Sequence, residues 1–109
     1  MRLPAVLSAF AALTLALPAP AGSAGRELLV LNRGNEAIFW LSIGHAQAQD
    51  WSPDILRFND VIDVGEGRNV KIALGDQCVY DVRAKYRDGD TVDLAAVDLC
   101  ASSSVSFEH

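Results

Sequence analysis

Histidine and cysteine are scarce in this 109-residue chain, two of each, and positive charge is outnumbered. Nine Lys and Arg stand against fourteen Asp and Glu, a formal net charge of −5. The two basic clusters, Arg68 to Lys71 and Arg83 to Arg87, are interleaved with apolar residues, so no basic stripe forms. That argues against nucleic acid and anionic lipid surfaces as partners, because both select for concentrated positive charge. The sequence has no C-x-x-C, no H-E-x-x-H, no G-x-S-x-G and no phosphate-cradling glycine loop. Redox, zinc-hydrolase and nucleophile-elbow chemistries therefore lack their usual signatures, and no cofactor is expected. His45 is the only histidine inside the chain, in a Gly-His-Ala loop without a local nucleophile.

A long apolar run is missing too. The longest, Ala5 to Leu17, has 13 residues, against the roughly 20 that span a bilayer. Arg2 precedes it and the small-residue segment Pro18 to Gly25 follows. This order of charge, apolar core and small-residue exit is that of a secretory signal peptide. Cleavage is expected after Ala24, with Ala21 as the alternative, giving residues 1–24 as signal and 25–109 as one domain. The mature chain is then periplasmic or secreted, carries a charge of 8 − 14 = −6 and does not insert in a membrane.

Beyond residue 25 no sustained helical period exists. Short apolar or alternating runs recur instead: Glu27 to Asn32, Ala37 to Ile43, Val61 to Val64, Arg68 to Leu74, the two arms of Cys78 to Cys100, and Ser104 to Phe107. Turn residues separate them. The pattern predicts an all-β fold, a small antiparallel sandwich or partly closed barrel of about six to eight strands. One segment, Asp50 to Phe58, reads differently. Ser52 suits an N-cap, Pro53 the first helical position and Asp54 the first turn, with Trp51 and Leu56 placed as a hydrophobic staple. One short helical turn is expected there, with Trp51 plugging the core or, as the alternative, stacking on a ligand.

The two cysteines, Cys78 and Cys100, lie at equal distances from Gly89. A hairpin with the loop Asp88-Gly89-Asp90 pairs Tyr86 with Val92, Ala84 with Leu94, Val82 with Ala96, Tyr80 with Asp98 and Cys78 with Cys100. These residues face the core, while Asp81, Arg83, Lys85 and Asp93 share the outer face with Lys85 opposite Asp93. A structural disulfide is the expectation, a reactive pair or metal site the rivals. Leu94 to Val97 is apolar on both faces, so a bulge there would move the register by one or two.

Trp40 joins the outer face if Phe39, Leu41 and Ile43 point inward. The candidate binding surface is accordingly Trp40, Trp51, Asp81, Arg83 and Lys85. Asp88, Asp90 and Asp93 are candidate calcium ligands, although D-G-D-T-V-D lacks the distal glutamate of an EF-hand; Asp50, Asp54, Asp60 and Asp63 are further carboxylates near expected loops. At WSPDIL, CVYDVRAKYRDGD and VDLC the chain resembles small exported bacterial proteins of unknown function. Asn32, Trp51, Asp54, Cys78, Tyr80, Asp81, Arg83, Asp88, Gly89, Asp98, Leu99 and Cys100 carry that likeness; Ser52 and Gly44-His45 depart from it. The resemblance implies export and architecture and no activity. The expectation is a non-catalytic domain that binds an envelope protein or polymer. A calcium- or small-ligand module is the alternative, and a small hydrolase the most remote.

Overall fold

The computed structural model describes residues 25–57 and 60–109. The expected signal peptide and its cleavage site lie outside the described residues. Six strands form two three-stranded sheets: β1 (Gly25–Asn32), β2 (Ile38–His45), β3 (Gly67–Ala73), β4 (Val79–Tyr86), β5 (Thr91–Asp98) and β6 (Ser104–Phe107). The orders are β3-β1-β6 and β2-β4-β5. The result is a small β-sandwich, not a closed barrel. No helix among the described residues is long and apolar enough to cross a membrane.

Alternation builds the core. In β4, Tyr80, Val82, Ala84 and Tyr86 are buried; Leu28 and Val30 of β1 and Val70 and Ile72 of β3 meet them from the other sheet's inner face. Period-two burial of this kind is what packing one face of each sheet demands. Phe107 and Leu99 complete the core, both fully buried. Fully burying an aliphatic or aromatic side chain stabilises a fold by roughly 1.5–3 kcal/mol.

Four expectations need correction. First, β6 runs parallel to β1, because the connection after β5 crosses to the other sheet and enters alongside β1; the fold is mixed and not wholly antiparallel. Second, Val61 to Val64 forms no strand, only the bridge from Ile62 to Ile38.

Third, the hairpin register differs. The amide of Gly89 donates to Tyr86 O at 2.9 Å and that of Tyr86 to Asp90 O at 2.9 Å. The three loop residues are therefore Arg87, Asp88 and Gly89. A type I turn followed by a left-handed residue puts glycine third in the loop, not central, and Gly89 has φ +96°. Ala84 then pairs with Val92, Val82 with Leu94 and Arg83, in place of Lys85, with Asp93. This is a slip of two, so the side chains from the turn to Leu94 keep their faces. The anticipated bulge follows between Tyr80 and Val82, after which Tyr80 pairs with Val97 and Val79 with Asp98. Leu99 takes the inward position and Cys100 is exposed. The disulfide Cys78–Cys100 is present, with Cα atoms 5.1 Å apart, but it closes the sheet's margin and is not part of the core.

Fourth, the segment 51–57 is not helical. It lies along the free edge of β2: Ser52 N–H donates to Ile43 O at 2.7 Å and Ile55 N–H to Leu41 O at 2.8 Å. In return Ile43 N–H donates to Ser52 Oγ and Leu41 N–H to Asp54 Oδ1, both at 3.0 Å. The polar side chains that suit a helix start satisfy strand amides instead. A covered edge cannot pair with another chain.

Candidate functional site

The outer face of the β2-β4-β5 sheet gathers all five residues of the candidate surface. Along β4, Asp81, Arg83 and Lys85 point away from the core, as the burial of their neighbours requires. On β2 a bulge between Ile38 and Trp40 alters the alternation. Ile38, Leu41 and Ile43 turn inward and are buried, whereas Phe39 is 42% exposed. Phe39 thus departs from the expected inward set. Trp40 is half-buried on the outer face beside its register partner Lys85.

Each tryptophan carries a cation. Lys85 Nζ lies 4.9 Å from the Trp40 ring centroid, and the Arg83 guanidinium carbon lies 4.1 Å from that of Trp51. Such contacts stabilise by about 0.5–1 kcal/mol at exposed sites. Trp51 is therefore not a core plug: it is half-buried against Arg83, while Leu56 is buried in the core cluster. Gly44 makes room for this arrangement, since a Cβ there would stand 3.0 Å from Asp50 Oδ1 where the 46–50 loop folds over the sheet.

Arg83 also binds Asp93 through two bonds, Nε to Oδ1 at 2.7 Å and Nη2 to Oδ2 at 2.9 Å. The fork fixes the guanidinium plane over the indole. Asp81 has a different task. Its Oδ2 accepts the amide of Gln47 at 3.0 Å and its Oδ1 the amide of Ala96 at 2.9 Å. Both donors are non-glycine residues with positive φ, 66° and 53°, so one carboxylate holds a loop and a bulge in strained backbone. These two amides, with Arg83 nearby, hold the Asp81 carboxyl below its ordinary range.

The calcium candidates separate. Asp93 is committed to Arg83, whereas Asp88 and Asp90 meet His109: Nε2 lies 2.8 Å from Asp90 Oδ2 and 3.8 Å from Asp88 Oδ2. Of the other carboxylates, Asp54 is engaged with backbone amides, Asp60 with Arg68 and Asp50 with His45. His45 Nδ1 is 2.6 Å from Asp50 Oδ2, and the contact holds the Asp50 carboxyl below its usual range. The imidazole stacks on Tyr80 at 5.0 Å. Both members of the pair are about half exposed. The arrangement orients the imidazole at the half-exposed end of β2.

Sequence reasoning missed Phe39, Arg57 and Arg87. These three line a groove of about 530 Å³ next to Trp40. Arg87 belonged to a visible basic cluster; the outward turn of Phe39 had no signal, because the bulge depends on pairing with β4. Together the fold and the face define a disulfide-stapled β-sandwich with an aromatic and cationic outer sheet. Comparison of the chain with protein-family profiles, curated proteins and solved structures finds no match.

Proposed function

We propose that this chain is an exported, non-catalytic binding domain that engages an envelope protein or polymer through the outer face of β2-β4-β5. The carrying observation is the pairing of Trp40 with Lys85 and of Trp51 with Arg83 on a face the core does not use. Half-exposed aromatics and arginine are the residue types that dominate binding energy at interfaces. The opposite sheet supplies a contrast: its outer positions, Gly25, Glu27, Leu29 and Leu31 of β1, Gly67, Asn69, Lys71 and Ala73 of β3 and Ser104 and Ser106 of β6, carry no aromatic. The charged, apolar and small-residue order of residues 1–24 supports export, and a disulfide fits an oxidising compartment.

The test places a photo-crosslinker at Thr91 on one sheet or at Asn69 on the other, in the protein expressed in its own cells. The same discrete adduct should form from Thr91 and be lost in a Trp40→Ala, Lys85→Ala variant. Adducts from Asn69 alone would refute the assignment of the face.

A further inference from the structure

The groove beside Trp40 has a composition of its own. Phe39, Trp40 and Val61 give it an apolar wall, and Arg57 and Arg87 reach into it. Neither guanidinium has a carboxylate partner among the described residues. Two acids also line it. Asp60 is neutralised by Arg68, and Asp54 Oδ1 accepts the amides of Leu41 and Leu56 at 3.0 Å each. Two arginines against the remaining Asp54 charge leave the groove with one net positive charge, in a chain whose net charge is −5.

Volume and chemistry narrow the occupant. Small-molecule sites run from about 300 to 1,000 Å³, mostly apolar with a few placed polar groups, and this groove of about 530 Å³ falls inside that range. Arginine's planar fork matches a carboxylate, and its unpaired state leaves those donors for a ligand. One net positive charge matches a monoanion better than a doubly charged phosphate. We infer that the groove binds a small organic carboxylate with a flat apolar body, the body against Phe39, Trp40 and Val61 and the carboxylate at Arg57 and Arg87. The inference rests on the reading that this side of the sandwich carries binding, and it names the ligand class.

The experiment is a nitrogen-15 NMR titration of the purified protein with 2-naphthoate, its neutral isostere 2-naphthamide and 2-naphthyl phosphate, read at the Trp40 indole N–H. A Trp51→Phe variant assigns the signal. The Trp40 signal should shift saturably with 2-naphthoate, at least ten-fold more tightly than with the amide. An Arg57→Gln, Arg87→Gln variant, altered only at exposed side chains, should keep its dispersed spectrum and lose that preference. Phe39→Ser should weaken acid and amide alike. An unmoved Trp40 signal, equal affinity for the amide, or a preference that survives in the arginine variant would overturn the inference, and tighter binding of the phosphate ester would overturn the carboxylate assignment. If the naphthoate arm fails while the Thr91 adduct persists, the groove assignment falls alone; if both fail, the binding face falls with it.

Discussion

Replacing both Cys78 and Cys100 with alanine isolates what the cross-link contributes. The bond joins residues 22 apart. In the chain-entropy treatment, closing such a loop in the unfolded chain removes about 11 cal/mol/K, or about 3.4 kcal/mol at 25 °C. Packing adds little to this, because Cys100 is exposed and Cys78 only half-buried; no core cavity is opened. The loss should therefore appear through the unfolded state. Urea unfolding followed by tryptophan fluorescence should show about 3 kcal/mol less stability and a steeper denaturant dependence, since an uncrosslinked chain exposes more surface. Native spectra and binding should be unchanged. A loss below about 1 kcal/mol would refute the entropic reasoning. Unchanged stability with abolished binding would make the cysteines functional and not structural.

Asn32 is fully buried, and its side chain donates to Glu36 O and Ile62 O and accepts from Gly34 N–H. Asn32→Ala should cost about 3 kcal/mol, since three backbone groups lose their partner at once, and a thermal melt of the purified protein checks it. Gly89→Val should destabilise by roughly 1–2 kcal/mol in the same assay, because a β-branched residue resists the left-handed region. The Asp81 carboxyl is held below its ordinary value in the fold. Its contribution is therefore present above the unfolded-state value of about 3.9 and is lost as pH falls through the folded value. The stability gap between wild type and Asp81→Asn should be flat from pH 5 to 8 and shrink below about pH 4; a gap that widens in acid would contradict the bonding described.

Alternation carried most of the legible information. Tyr80, Val82, Ala84 and Tyr86 announced the buried face of β4, and Asp81, Arg83 and Lys85 its outer face, because local period and burial agree there. Gly89 announced the turn but not its place within the loop, which depends on turn geometry; the even slip kept the faces as far as Leu94, and the bulge beyond it turned Ala96, Asp98 and Cys100 outward. The segment after Asp50 misled for a physical reason. Ser52 and Asp54 are side chains that seek unpaired amides, and sequence offers only local ones. In the fold the amides of Ile43 and Leu41, nine and thirteen residues earlier, take up that bonding, and the one local amide Asp54 also holds, that of Leu56, closes a turn and not a helix. Bulges were half-visible: the doubly apolar Leu94 to Val97 signalled one, while that at Phe39 depends on a partner strand. The candidate surface was legible as residues, yet its cation-capped geometry needed the loop before Trp51 to fold with Asp50 over Gly44.

Hydroxyl-radical footprinting of the domain, with and without the envelope fraction of its own cells, tests the binding face most directly. Oxidation of Trp40 and Trp51 should fall several-fold in the presence of that fraction, while Leu29 and Leu31 on the opposite sheet stay unchanged. Protection of Leu29 and Leu31 with both tryptophans still fully oxidised would contradict the account.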